Sequence, residues 1–124
     1  MTIANGAPRV LVVEDSLLMA EALCDMLSTH SAEPVGPAPT VTAALRLVDA
    51  NRIDAAVLDV RLRSDTSFAI CKVLQERGIP FIFATGSTEE EIPAAFADVP
   101  IVTKPFDPHE LMTALNASLR RAAG

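Results

Sequence analysis

Four short apolar runs, each followed by a helical repeat, limit what this chain can fold into more than any other feature. They occupy residues 10–13, 54–58, 80–84 and 99–103. A run such as Ala55-Ala56-Val57-Leu58, apolar at every position rather than at alternate ones, reads as a strand buried on both faces, which is the environment of a parallel sheet covered by helices. The covers are also legible. Leu18, Ala22, Leu23, Met26 and Leu27 recur at helical spacing behind Ser16, a helix-capping residue, and Ala44, Leu45 and Val48 recur behind Thr40, another. A third helix is expected over residues 67–77, ended by Gly78. Glu89-Glu90-Glu91 with Pro93 predicts a short or irregular fourth, acidic where the helix dipole favours it. Asp107-Pro108-His109-Glu110 predicts the start of a fifth, whose buried stripe is Leu111, Leu115 and Leu119.

Between Glu33 and Pro39 lie three prolines and Gly36, which leave room for a short edge-like strand around Val35. Five strands then alternate with five helices. The predicted fold class is α/β, a doubly wound five-stranded parallel sheet.

At 124 residues, half of them hydrophobic, the chain is expected to form one domain over residues 9–121 after a loose segment at residues 1–8. A domain of that size buries roughly two thirds of its unfolded surface. The net charge of -6, with ten scattered Lys and Arg, argues against nucleic acid, whose backbone is gripped by clustered cations. No apolar run approaches the ~20 residues of a membrane span, and the N-terminus lacks a signal-peptide pattern, so a cytoplasmic protein is expected. Cys24 and Cys71 lie in different helical patterns without CxxC spacing, which favours reduced, packed thiols. No Trp or Tyr is present to stack bases or sugars.

Polar residues gather where the strands end. Glu14 and Asp15 follow the first, Asp59 the third, Thr85 the fourth and Lys104 the fifth. Chemistry in open α/β sheets collects outside these carboxyl ends. If the first and third strands are neighbours, three carboxylates converge, and each pair about 4 Å apart would repel by roughly 4 kcal/mol at an effective dielectric of about 20. An all-oxygen cluster reached by solvent suits Mg²⁺ or Mn²⁺, and Lys104 can offset part of the charge. The chemistry this points to is phosphoryl transfer: Asp59 attacks phosphorus, the metal takes one oxygen, Thr85 hydrogen-bonds another and Lys104 neutralises a third.

In type, order and spacing, Glu14-Asp15, Asp59, Thr85 and Lys104-Pro105 resemble the receiver domain of bacterial two-component response regulators. The resemblance covers essentially residues 9–121. It implies a flavodoxin-like sheet of order 2-1-3-4-5, with two helices on one face and three on the other. It also implies phosphorylation of Asp59, ligation of Mg²⁺ by Asp15, Asp59 and the backbone carbonyl of Arg61 with Glu14 assisting through water, and often a cis Lys104-Pro105 peptide. The partner it implies is a histidine kinase or histidine phosphotransferase. Phe83-Ala84-Thr85-Gly86 further resembles the single-domain subfamily nicknamed FAT GUY, from which Ser87 departs.

Three other positions depart from the family pattern. Arg63 replaces the usual Pro four residues past the acceptor, Ser67 replaces the usual Gly eight past it, and Ile101 replaces the aromatic switch residue three before the lysine. Ring rotation at Ile101 therefore cannot carry the activation signal. The leading reading is a stand-alone receiver, a monomer or weak dimer, serving as a switch, phosphorelay intermediate or phosphate sink. It would catalyse only its own phosphorylation and dephosphorylation. The alternatives are a phosphorylation-independent binding module on the same fold, and a phosphatase, which would want an acid where Arg61 stands. Leu17, Leu18 and Phe106 border the rim and are candidate docking residues for a histidine-bearing helix, or else core.

Overall fold

The computed structural model describes residues 6–63, 65–86 and 92–123. The strands β1 (Arg9–Val13), β2 (Glu33–Ala38), β3 (Ala55–Leu58), β4 (Phe81–Thr85) and β5 (Ile101–Thr103) form one sheet of order β2-β1-β3-β4-β5. Every neighbouring pair in it is parallel. The helices α1 (Leu17–Thr29), α2 (Val41–Ala50), α3 (Phe68–Glu76) and α4 (Pro108–Ala123) connect and cover it.

The continuous apolar strands still obey a period of two. Val10 and Val12 of β1, Ala55 and Val57 of β3, and Ile82 and Ala84 of β4 pack with Leu23, Leu27, Leu111 and Leu115 under α1 and α4. The alternate residues, Leu11 and Val13, Ala56 and Leu58, Phe81 and Phe83, pack with Ala44, Val48, Ile70 and Leu74 under α2 and α3. Fully burying one such Leu or Val contributes about 1.5–3 kcal/mol, so both faces hold the sheet in place. Phe68, Phe81, Phe83 and Phe96 form a ring cluster on the α2/α3 face, with Phe68 stacked on Phe96 at 5.8 Å.

The helix starts are as expected: Ser16 Oγ accepts from the Met19 N–H at 3.4 Å and Thr40 Oγ1 from the Ala43 N–H at 3.1 Å. Gly78 ends the third helix at φ +70. Both cysteines are free thiols, and burial pushes the Cys71 thiol up to about 12.

Four expectations need correction. The strand around Val35 runs for six residues, because Gly36, at φ +107 with its missing Cβ facing Val12 O and Ala38 N, lets the proline-rich segment follow β1. In α1 the buried residues are Ala20, Leu23 and Leu27, while Leu18 and Ala22 face solvent. The polar loop after Asp59 is a small hairpin, Arg61–Leu62 against Asp65–Thr66, and its Leu62 is buried. Among the described residues the α-helices number four rather than five: between β4 and β5 these residues hold a 3-10 turn, Ala94–Phe96, which packs Phe96 into the core on the α2/α3 face. The acidic start at Glu89-Glu90-Glu91, the departure at Ser87 and most of the loose N-terminal segment lie outside the described residues. Among the described residues, no helix is long and apolar enough to cross a membrane.

Candidate functional site

Strand register brings the polar residues together. Val13 pairs with Leu58 across β1 and β3, so Glu14 and Asp59 leave adjacent strand tips side by side. The Asp59 N–H donates to Val13 O and the Glu14 N–H to Ala38 O, each at 3.0 Å, which fixes both tips. On the other side of the rim Thr85 pairs with Thr103, and the Lys104 N–H donates to the Thr85 carbonyl at 2.8 Å. Glu14, Asp59 and Lys104 continue the alternation of Val12, Val57 and Val102, all of which face α1 and α4. Their side chains therefore leave the sheet on one face. The lysine stem passes Gly86, where an added Cβ would lie 3.9 Å from Lys104 Cδ.

The ammonium lands between two acids. Lys104 Nζ is 2.6 Å from Glu14 Oε1 and 2.7 Å from Asp59 Oδ2. Glu14 is nearly sealed, its side chain 1% exposed against 12% for Asp59, and its Oε2 accepts from the Ser16 N–H at 3.1 Å. Burial pushes the Glu14 carboxyl above its ordinary 4.5; the Lys104 hydrogen bond, the Ser16 N–H and the lysine charge oppose that rise without cancelling it, and the Asp59 charge adds to it. For Lys104 burial acts to lower the pKa, but the hydrogen bonds and charges of Asp59 and Glu14 outweigh it, and the ammonium is held above 10.5. Lys104 is thus secure in its charge, while the Glu14 carboxyl is shifted toward its neutral form.

Asp15 completes the rim. Glu14, Asp15 and Asp59 each offer a carboxylate oxygen within 4.8 Å of the others. Asp15 Oδ2 accepts from the Arg63 N–H at 2.8 Å. Three carboxylates and one ammonium leave a formal surplus of two negative charges on an oxygen-only donor set, which fits a hard divalent cation such as Mg²⁺.

A family model described as the response regulator receiver domain matches residues 10–116. The chain belongs to that family. SdrG from Sphingomonas melonis Fr1, solved in solution, is 39% identical with a TM-score of 0.81, and the match covers 92% of this chain and 97% of that one. The BeF3-activated conformation of SdrG, from Pseudomonas melonis Fr1, is 41% identical with a TM-score of 0.76 over 90% of this chain and 95% of that one. Sensory transduction protein LytT of Bacillus anthracis is 32% identical over 111 residues, which are 86% of this chain and 45% of LytT. The chain spans about half the length of the curated relatives it matches.

For a receiver, the remaining sequence-predicted residues sit as follows. Thr85 is buried at the tip of β4. Arg61 opens the hairpin that follows Asp59 and pairs with Thr66. The Lys104–Pro105 peptide is cis. Leu17 and Leu18 are 70% and 76% exposed, so they are not core, whereas Phe106 is half-buried against the α1/α4 core. Ser67, at the family's Gly position, is fully buried and donates its hydroxyl to Val60 O at 3.3 Å. Ile101 is half exposed on the edge strand. Two main-chain donors, Ser16 N–H and Arg63 N–H, were not foreseen, because a backbone amide has no residue signature; the one available signal was a non-proline at position 63.

Proposed function

We propose that this chain is a stand-alone receiver that accepts a phosphoryl group from a phosphohistidine onto Asp59 in a Mg²⁺-dependent reaction, as a signalling switch or phosphorelay intermediate. The observation that carries the reading is the Lys104 ammonium bridging Glu14 and Asp59 beside Asp15. Likeness to SdrG, whose BeF3-activated conformation has been solved, supports the phosphoryl-accepting role.

Lys104 holds one oxygen of Asp59, and the other is the nucleophile. That oxygen attacks phosphorus, the phosphorus–nitrogen bond of the donor breaks, and the imidazole nitrogen leaves with the electron pair. The product is an acyl phosphate on Asp59. A carboxylate is already ionised at neutral pH, so no base is required. Lys104 and the Thr85 hydroxyl take up phosphoryl oxygens as charge builds on them. A divalent cation bound by Asp15, Asp59 and the Arg61 carbonyl, with Glu14 assisting through water, would supply the remaining charge neutralisation. The protein catalyses only this transfer and its own dephosphorylation. Its setting is cytoplasmic, and its donor is a histidine kinase or histidine phosphotransferase that docks over Leu17, Leu18 and Phe106.

Incubation with a small phosphodonor and Mg²⁺, followed by intact-mass measurement, tests the reading. One added phosphoryl group on the wild type and none on Asp59→Ala is expected. An unmodified wild type, or an equally modified variant, refutes it.

A further inference from the structure

We infer that the Arg63 main-chain N–H is a positioning group for the metal site: it holds the Asp15 carboxylate in the orientation in which Asp15 and Asp59 share one divalent cation. This rests on the Mg²⁺ site proposed above. The contact is an N–H donating to Asp15 Oδ2 at 2.8 Å across 48 residues of sequence, and the geometry around it makes the donor a fixed one. Arg63 sits at the turn of the small hairpin, whose strands pair Arg61 with Thr66 and Leu62 with Asp65. Leu62 anchors that hairpin in the α2/α3 core. At its base the Ser67 N–H and hydroxyl both donate to Val60 O, at 2.9 and 3.3 Å. The amide that reaches Asp15 is therefore carried on a segment pinned from the core side and from its base.

A proline at position 63, the usual receiver residue, has no N–H to give. The departure from the pattern thus hands Asp15 a donor that the common sequence cannot supply. A carboxylate has about four acceptor sites on its two oxygens, so one N–H leaves lone pairs for a cation while fixing the plane of the group. Hydrogen bonds that orient metal-ligating side chains typically account for about 10–100-fold in metal affinity.

Arg63→Pro and Arg63→Ala separate the amide from the guanidinium. Arg63 lies outside the left-handed region, since Ser31 is the only described non-glycine there, and the preceding Leu62 is in a strand; neither bars a proline at position 63. Mg²⁺ affinity is measured by titration calorimetry on the full chain. Arg63→Pro is expected to bind about 10–100-fold more weakly, and Arg63→Ala within about threefold of the wild type. In the wild type, the Arg63 amide proton is expected downfield and slow to exchange in NMR spectra, and to lose both properties in Asp15→Ala. That measurement decides the matter if Arg63→Pro does not fold. Wild-type affinity in Arg63→Pro, an equal loss in Arg63→Ala, or an Arg63 amide indifferent to Asp15→Ala overturns the inference. A wild type that fails to bind Mg²⁺, or Asp15→Asn binding as tightly as wild type, overturns the metal site itself and this inference with it. Tight binding that Asp15→Asn weakens and Arg63→Pro does not overturns this inference alone.

Discussion

Lys104 Nζ stands 2.7 Å from Asp59 Oδ2, each residue lying just past the end of a different strand of one sheet. The same ammonium is bound to Glu14, so one cation compensates two acids at a rim that carries three. Lys104→Ala leaves those acids without a cation, and is expected to lower the unfolding free energy by about 2 kcal/mol in the absence of divalent ions. Urea unfolding measures it. Added Mg²⁺ is expected to stabilise the variant more than the wild type, because a ligand that binds only the folded state adds stability according to its affinity and here meets a site with one more unbalanced charge. An unchanged midpoint in Lys104→Ala, or an equal Mg²⁺ gain in both proteins, contradicts the account.

Glu14 gives the pH dependence a sign. Its folded pKa lies above 4.5, chiefly through burial, so the folded state holds a proton that the unfolded chain has already released. The stability linked to that proton is complete below 4.5 and is lost as the pH rises through the folded value. In chelator, the unfolding free energy of wild type minus that of Glu14→Gln is therefore expected to increase as the pH falls from 7 toward about 4.5 and to level off below it. A difference that stays flat, or that shrinks, reverses the assignment. The Lys104 ammonium adds no slope in this window, since its pKa is held above 10.5.

What the sequence made legible and what it concealed divide along physical lines. β1, β3 and β4 could be read because a strand buried on both faces needs an apolar residue at every position, as Ala55-Ala56-Val57-Leu58 has. The site followed, since Glu14, Asp59 and Lys104 are the first residues past strand ends whose register the sheet fixes. β2 was under-read because Pro34, Pro37 and Pro39 weaken any strand signal, and the glycine that rescues it acts through an absent Cβ. The hairpin was missed because two-residue strands have no periodicity to detect. In α1, Leu18 fits the apolar repeat yet faces solvent, because the sheet face that α1 covers ends before the rim where Leu17 and Leu18 stand.

Gly36 and Gly78 both lie at positive φ, but they differ in what surrounds them. A Cβ on Gly36 would meet Ala38 N at 2.9 Å and Val12 O at 3.1 Å, both backbone atoms, whereas one on Gly78 would meet nothing within 4 Å. Gly78→Ala is expected to cost the left-handed penalty alone, about 1–2 kcal/mol. Gly36→Ala adds a collision within the β1–β2 ladder and is expected to cost about 3 kcal/mol or more. Chemical unfolding of the two variants checks the order, and equal costs would show that β2 can shift to admit the methyl group.

Leu17 and Leu18 open α1 directly beside the acid pair and, with Ile101, are the exposed large hydrophobic residues among those described. Removing exposed side chains leaves little core contact to lose, so Leu17→Ala with Leu18→Ala is expected to move the unfolding midpoint hardly at all. A docked histidine-bearing helix would cover both. A loss of about 1.4 kcal/mol of docking energy then lowers phosphotransfer from a phosphohistidine protein about tenfold. Labelling by a small phosphodonor, which needs the rim but no docking surface, is expected to stay at the wild-type rate. The comparison of donors carries the argument: a fall with both would place these leucines in the chemistry of the rim, and a fall with neither would place the docking face elsewhere on the domain.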